Sequence, residues 1–203
     1  LRQICGIKNY RNNFYEMKIG IIGCGFIGNE IAKFIDKNKE FELIAVNDIE
    51  ESKAKSLIKK LRNNKPKLMG LNESIKKSEL IIESAYKEAV RKILTNNYLD
   101  KKGKKLLIMS TGGLIDNLNL LNKIKNCEVL LPSGAISGLD AIKAVSGKIK
   151  SLTLTTTKST NALDGAPYII KNQIDLRSLK NKKIIFEGNL NNAVEGFPQN
   201  INV

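Results

Sequence analysis

The stretch Met-Lys-Ile-Gly-Ile-Ile-Gly-Cys-Gly-Phe-Ile-Gly, residues 17–28, decides the fold of this chain. Residues 18–22 form a short apolar run, typical of a strand that is buried on both faces of a parallel sheet. The glycine pattern G-x-G-x-x-G follows over residues 23–28, and apolar residues then recur with helical spacing as far as Ile35. In this strand–turn–helix setting, the pattern predicts a dinucleotide site whose pyrophosphate lies at the helix N-terminus.

The three glycines of this loop have separate predicted roles. Gly23 permits the tight turn, Gly25 lets a pyrophosphate approach the main chain, and Gly28 allows the helix to pack closely on the strand. We expect Phe26 and Ile27, which lie between them, to complete the pyrophosphate site. Cys24 needs only to be small at its position, and a redox role for its thiol is the alternative.

Asp48 provides a second signal for the same site. It follows a predicted strand over residues 41–46 and lies 20 residues after Gly28. A carboxylate at this position accepts hydrogen bonds from the adenosine ribose and repels a 2′-phosphate, so NAD is favoured, with NADP as the alternative. Asp48 would also cap a predicted helix over residues 50–61, and the two roles are compatible.

Strands and helices alternate from residue 17 to residue 131, which predicts an α/β domain with a doubly wound, Rossmann-type parallel sheet. The further strands are expected over residues 80–83, 104–109 and 128–131, and the helices over residues 26–35, 50–61, 74–77, 88–99 and 114–125. Ser84 and Ala85 follow the strand at 80–83, at the sheet edge where ligands bind in open α/β folds.

The character of the chain changes at residue 132. A run of small residues leads into a helix through about residue 146, and strands are expected over residues 149–157 and 184–187. We therefore predict an incomplete α+β substrate and dimerisation domain over residues 132–203. Residues 1–16 precede the first strand and are expected to form an extension outside the fold.

Composition excludes several classes of function. The net charge of +14 comes from 34 basic and 20 acidic residues, but the lysines are dispersed and few aromatic residues accompany them, so nucleic-acid binding is not expected. There are three scattered cysteines and no histidine. This composition argues against a metal site and favours a reducing, cytoplasmic location. No apolar run is long enough to span a membrane.

Several further motifs make the chain recognisable. They are Glu-Ser-Ala at 83–85, Ser-Thr-Gly-Gly-Leu at 110–114, Pro-Ser-Gly-Ala-Ile-Ser-Gly-Leu-Asp-Ala at 132–141, Gly-Ala-Pro at 165–167, Phe-Glu-Gly at 186–188 and Phe-Pro-Gln-Asn-Ile-Asn-Val at 197–203. Together with the glycine loop, they resemble the L-aspartate dehydrogenase family, whose relatives include dihydrodipicolinate reductase and homoserine dehydrogenase. The resemblance covers residues 17–203.

The resemblance implies NAD(P)-dependent oxidation of L-aspartate to iminoaspartate, or the reverse amination of oxaloacetate with ammonia. Iminoaspartate is a precursor of quinolinate, so the implied pathway is NAD (pyridine nucleotide) biosynthesis, and the implied assembly is a homodimer. By analogy, Ala135 and either Asn200 or Asn202 contact the cofactor near the nicotinamide, together with Ser84 and Ala85. Ser133 and Lys158 are the expected substrate contacts.

Two departures from the family pattern stand out. The family motif Thr-Arg-Lys-Pro-Pro is replaced by Thr-Thr-Lys-Ser-Thr over residues 156–160, so the arginine is missing and Lys158 remains. The acid/base histidine of the family follows the Phe-Pro-x-Asn-x-Asn motif, and this chain has no histidine, so no catalytic residue is assigned. We therefore expect a truncated member with a non-native N-terminal extension. The alternatives are a catalytically incomplete NAD-binding fragment and a related dehydrogenase or reductase for another small amino or keto acid.

Overall fold

Strand β1, residues Met17–Ile22, lies inside a parallel sheet with the order β3-β2-β1-β4-β5-β6. This computed structural model describes residues 16–134, 136 and 138–198, so all but Glu16 of the predicted extension lies outside the described residues. The other strands are β2 (Phe41–Asn47), β3 (Lys67–Leu68), β4 (Leu80–Glu83), β5 (Lys105–Ile108) and β6 (Glu128–Leu130). Every pairing between neighbouring strands is parallel. The order is that of the dinucleotide-binding doubly wound fold, which confirms the predicted fold class.

The helices connect these strands and then continue beyond the sheet. They are α1 (Phe26–Asp36), α2 (Glu51–Lys60), α3 (Leu71–Lys77), α4 (Lys87–Leu94), α5 (Leu118–Leu121), α6 (Leu139–Ala144), α7 (Thr160–Leu163), α8 (Pro167–Lys171) and α9 (Leu190–Gly196). Two 3-10 segments, Thr111–Asn117 and Ser146–Lys148, accompany them. The first three predicted helices therefore occur with small changes in their bounds, and β3 is a strand that the sequence did not predict.

Two hydrophobic cores lie on opposite faces of the sheet. On one face, Ile19 and Ile21 of β1 pack with apolar residues of α1 and α2, and on the other face Ile81 packs with apolar residues of α4. These side chains are almost wholly buried, and each contributes roughly 1.5–3 kcal/mol through burial alone. The sheet edge that carries the glycine loop is therefore held by apolar packing from both sides.

The predicted helix over residues 88–99 is shorter than expected because polar side chains end it. The Thr95 hydroxyl donates to the Arg91 carbonyl at 2.9 Å, and the Asn96 side chain accepts the Tyr98 N–H at 3.0 Å. Such local hydrogen bonds offer the main chain an alternative to the helix. The predicted helix over residues 114–125 is likewise largely replaced by the 3-10 segment Thr111–Asn117 and the single turn of α5.

In the second part of the chain, the described residues form a small aromatic core and no sheet. The rings of Tyr168 and Phe186 lie 5.2 Å apart in an edge-to-face arrangement, and Phe197 completes the cluster at 5.6 Å from Phe186. The strands predicted over residues 149–157 and 184–187 were wrong for this structure, because neither segment forms a strand. Their alternating and β-branched residues favour a strand only where a neighbouring strand supplies pairing and packing.

Candidate functional site

A cleft of about 340 Å³ opens at the carboxyl edge of the sheet. It lies where the connections of β1 and β4 leave the sheet in opposite directions, which is where open α/β folds bind ligands. The predicted site residues that line the cleft are Gly23, Gly25, Asp48, Ser84 and Ala85. The sheet topology thus brings together residues from three separate βα connections.

Two glycines of the loop are required by the packing of the protein itself. Gly23 has a φ of +97°, and a Cβ on it would lie 2.5 Å from the Ala85 nitrogen. A Cβ on Gly28 would overlap the Gly23 carbonyl oxygen and lie 2.9 Å from the Ser84 Oγ atom. Both glycines therefore allow the loop to lie directly against the end of β4, as the turn and packing roles require.

Gly25 differs from the other two glycines because its missing side chain faces open space. A Cβ built on it would meet no protein atom within 4 Å, and the residue is the extended N-cap of the 11-residue helix α1. An open approach to the start of a helix suits an anionic group, since main-chain N–H groups and the helix dipole favour negative charge there. The shape of the loop is thus compatible with a pyrophosphate, which remains a prediction for Gly25.

Asp48 is tied to the glycine loop by its own side chain. One carboxylate oxygen accepts the Cys24 main-chain N–H at 2.6 Å, and the other accepts the Glu50 N–H at 2.8 Å. The residue thus follows β2, faces the cleft and supports the entrance to α2, although Glu50 is the N-cap residue itself. Each oxygen retains a lone pair for a further donor, such as a ribose hydroxyl.

Ser84 and Glu83 fix the opposite wall of the cleft. The Ser84 hydroxyl donates to the Gly23 carbonyl at 2.8 Å. The fully buried Glu83 carboxylate accepts the Ala85 N–H at 2.8 Å and the Ser110 N–H at 2.9 Å. Burial raises the pKa of Glu83 above its ordinary value, and the N–H donors of Ser110 and Ala85 oppose that rise.

Cys24 is a buried thiol rather than a reactive one. Its side chain is almost inaccessible, and burial together with the negative charge of Asp48 raises its pKa to about 12. A thiolate is the reactive form of cysteine, so this environment disfavours the redox alternative. Among the described residues, no group of acidic, cysteine or histidine side chains is arranged to hold a metal ion.

Comparison with known proteins identifies both parts of the chain. A family model described as "Homoserine dehydrogenase, NAD binding domain" matches residues 23–128, and one described as "Aspartate dehydrogenase, C-terminal" matches residues 140–203. The L-aspartate dehydrogenase of Methanosarcina mazei is 42% identical over 194 residues, which cover 92% of this chain and 71% of that protein. The chain belongs to the L-aspartate dehydrogenase family.

Other relatives agree with this assignment. The L-aspartate dehydrogenase of Methanocaldococcus jannaschii is 39% identical over 197 residues, covering 92% of this chain and 71% of that protein. Among solved structures, myo-inositol dehydrogenase from Lactobacillus casei matches 73% of this chain and 50% of its own, at 16% identity and a TM-score of 0.47. A likeness this distant says nothing about the substrate of the L-aspartate dehydrogenase family member described here.

Only some of the site residues expected from the family resemblance lie among the described residues. Ala135, Asn200 and Asn202 lie outside the described residues. Ser133 and Lys158 are exposed, and neither lines the cleft. Their roles in this L-aspartate dehydrogenase family member therefore stay predictions.

Phe26 and Ile27 begin α1 and do not line the cleft either. Phe26 is 82% exposed and Ile27 is 43% exposed, so the helix presents two large apolar side chains beside the loop. Their place in a pyrophosphate site also stays a prediction, and it would rest on their main-chain N–H groups.

Sequence reasoning missed two residues that organise this site. The Asn29 side chain donates to the Cys24 and Gly25 carbonyls at 2.7 and 2.8 Å and so fixes the loop from the first turn of α1. Glu83 joins the ends of β4 and β5. A signal for Glu83 was present in the sequence, because an acidic residue at the end of an apolar strand must find donors once it is buried.

Proposed function

We propose that this chain is an NAD-dependent L-aspartate dehydrogenase, which oxidises L-aspartate to iminoaspartate or, in reverse, aminates oxaloacetate with ammonia. The observation that carries the proposal is the presence, in one chain, of the glycine-loop cleft and a match to the C-terminal model of aspartate dehydrogenases over residues 140–203. NAD is the proposed cofactor, with NADP as the alternative, and the product would feed quinolinate and NAD biosynthesis.

The proposed cofactor contacts follow the geometry of the cleft. Gly25 would admit the pyrophosphate to the start of α1, where the main-chain N–H groups of Phe26, Ile27 and Gly28 donate to it. Asp48 would accept the adenosine ribose hydroxyls while its other hydrogen bonds hold the loop. Gly23 supplies the turn that presents these groups.

The reaction needs the substrate carbon to be held against the cofactor and its charges to be matched. A bound NAD would accept a hydride from the carbon that carries the amino group of aspartate, leaving an imine and releasing one proton. Lys158 would hold a substrate carboxylate as a point charge, and Ser133 would donate a hydrogen bond to it. Ser84, Ala85, Ala135 and one of Asn200 and Asn202 would line the nicotinamide half.

A second candidate function is NAD binding without turnover. The observation that favours it is the absence of histidine from all 203 residues, since histidine is the side chain that most readily moves protons near neutral pH. This candidate shares the cofactor site with the first and differs only in the chemical step.

The assembly we propose is a homodimer joined through the second part of the chain. The support is the segment over residues 149–157, which has the composition of a strand but no strand partner among the residues that the structure describes. Leu152 and Leu154 in this segment are more than half exposed. Pairing with a second copy would cover these side chains. Light scattering should then show a dimer, and the double variant Leu152→Lys with Leu154→Lys should be monomeric, whereas Leu118→Lys, an exposed leucine in the NAD-binding part, should remain dimeric.

We further propose a cytoplasmic location. The two cysteines within the described ranges, Cys24 and Cys127, are free, buried thiols, which suits a reducing compartment. No helix in those ranges is both long and apolar enough to cross a membrane.

The deciding experiment uses the 203-residue chain as it is. NADH and NADPH binding are titrated by nicotinamide fluorescence, and NAD reduction with L-aspartate is followed at 340 nm. NADH binding together with an aspartate-dependent rise in absorbance at 340 nm supports the dehydrogenase. Binding without turnover favours the second candidate, and failure to bind either nucleotide overturns both. Replacing L-aspartate by L-alanine, which lacks the side-chain carboxylate, provides the substrate control.

A further inference from the structure

We propose that Glu83 is a positioning residue that joins two loops into the wall against which the nicotinamide half of the cofactor binds. The inference rests on the proposed function, since it concerns the geometry of the same cleft. It adds a residue whose side chain neither lines the cleft nor belongs to the glycine loop.

Glu83 occupies a central position in the sheet. It is the last residue of β4, at the carboxyl edge, and it pairs with Ile22 of β1 on one side and Ile108 of β5 on the other. Its carboxylate therefore lies beneath the point where the β1, β4 and β5 connections diverge. That point is the topological switch of the sheet, where a dinucleotide crosses from one half of the fold to the other.

The Glu83 carboxylate binds main-chain N–H groups of two different loops. One oxygen accepts the N–H of Ala85, two residues further along the chain, and the other accepts the N–H of Ser110, the second residue after β5. The Ser110 hydroxyl also donates to Glu83. A single side chain thus fixes the first residues of two neighbouring loops relative to each other.

The charge of the Glu83 carboxylate has to be stabilised inside the protein. Glu83 has no exposed surface, and none of the ion pairs in the described part of the chain includes it. A buried carboxylate without a cation depends wholly on its hydrogen-bond donors, so both loops must stay in place to satisfy it. Burial also raises the pKa of Glu83, in keeping with this dependence.

The position of this wall in the sheet matches the nicotinamide half of the proposed cofactor. Asp48 follows β2, on the far side of β1, and an acidic residue there takes the adenosine ribose. The other nucleotide then lies over β4 and β5, where Ala85 and Ser110 begin their loops. The Glu83 hydrogen bonds should therefore matter for the nicotinamide ring and little for the adenosine half.

The test compares two ligands on the purified full-length chain. ADP-ribose carries the adenosine, the pyrophosphate and the second ribose of NADH but lacks the nicotinamide ring. In Glu83→Gln, an amide NH₂ group replaces one of the two carboxylate oxygens. This group would face a main-chain N–H group, and because two donors cannot form a hydrogen bond with each other, the two loops should move apart. We expect NADH affinity to fall about tenfold, the equivalent of one lost hydrogen bond to a charged group, while ADP-ribose affinity changes less than about twofold.

The matched control is Glu79→Gln, which lies just before the opposite end of the same strand, β4. Glu79 precedes β4 and accepts the Lys18 N–H at 2.8 Å, far from the cleft, so both affinities should stay unchanged. Ser110→Ala removes the hydroxyl donor to Glu83 while keeping the main-chain N–H. It should lower the affinity for NADH relative to that for ADP-ribose, as Glu83→Gln does, but by a smaller factor. It decides the question if Glu83→Gln does not fold.

The outcomes separate the two proposals. If the unmodified chain binds neither NADH nor ADP-ribose, the proposed function itself fails. If it binds both, and the folded Glu83 and Ser110 variants lose the two affinities equally or lose neither, the positioning role of Glu83 is overturned. A selective loss of NADH affinity supports it.

Discussion

The Asp48 carboxylate accepts the main-chain N–H of Cys24 at 2.6 Å, so the residue at the end of β2 directly holds the middle of the glycine loop. The same carboxylate also faces the cleft. Its charge therefore orders the loop, and under the proposed function it would also select the ribose that binds beside it.

Replacing Asp48 by Asn should change which cofactor the protein prefers. We expect NADH affinity to fall about tenfold or more, because a charged acceptor for the ribose hydroxyls is lost and the Cys24 hydrogen bond is weakened. NADPH affinity should fall less or rise, since the repulsion of a 2′-phosphate disappears. Glu51→Gln is the matched control, because Glu51 forms an exposed ion pair with Lys55 and does not line the cleft, so the NADH:NADPH ratio should stay unchanged. An unaltered ratio in Asp48→Asn would refute the ribose role.

Two glycine-to-alanine variants should separate folding from binding. Gly28→Ala places a methyl group against the Gly23 carbonyl oxygen, so its free energy of unfolding should drop by about 1–3 kcal/mol. In Gly25→Ala, the new methyl group meets no protein atom within 4 Å, and the φ of −71° at this residue suits alanine. The free energy of unfolding of this variant should therefore match that of the parent chain. NADH binding by Gly25→Ala should nevertheless be lost, because the methyl group occupies the approach to the pyrophosphate. Chemical denaturation and NADH titration test the pair, and a Gly25→Ala protein that binds NADH normally would contradict the predicted site.

Cys24 should be chemically inert in the folded protein. Its pKa of about 12 leaves almost no thiolate at pH 8, and the side chain is buried. In a Cys5→Ser background, we expect negligible alkylation by iodoacetamide under native conditions and modification of both remaining thiols in denaturant. Mass spectrometry gives the number of alkylated cysteines. Rapid labelling of Cys24 under native conditions would contradict the prediction and show that the glycine loop opens readily. Saturating NADH should not increase the labelling.

The strands and helices of the NAD-binding part could be predicted because their signals depend on local spacing in the sequence. Contacts between residues far apart in the sequence could not be predicted in this way. Asp48 could be placed because one strand–helix–strand unit fixes its distance from Gly28. The hydrogen bond between Glu83 and Ser110 connects the end of β4 to the loop after β5. It depends on the register between these two strands, which no local sequence pattern specifies. The segment over residues 149–157 has strand composition, but whether it forms a strand depends on a partner that composition does not specify.

Asp36 should make the stability of the protein sensitive to acid. Partial burial would raise the pKa of Asp36, but the N–H groups of Asn64, Arg62 and Asn63 donate to its carboxylate and lower the pKa overall. A lowered pKa means that the charged form is favoured by folding. The stabilisation is therefore fully present above the pKa of the unfolded chain, near 4, and is lost as pH falls through the lower pKa of the folded state.

Asp36→Asn should remove this dependence and anchor the loop after α2 less firmly. We expect a loss of about 1–2 kcal/mol in the free energy of unfolding at pH 7, because hydrogen bonds to a charged acceptor are replaced by weaker ones. The difference from the parent chain should shrink below about pH 4, where Asp36 is protonated first in the unfolded chain and then, at lower pH, in the folded protein. Urea denaturation at several pH values measures both effects, with Glu30→Gln as the control, since Glu30 forms only an exposed ion pair with Lys33. A constant difference between Asp36→Asn and the parent chain from pH 7 to pH 3 would show that the three N–H donors do not depend on the charge.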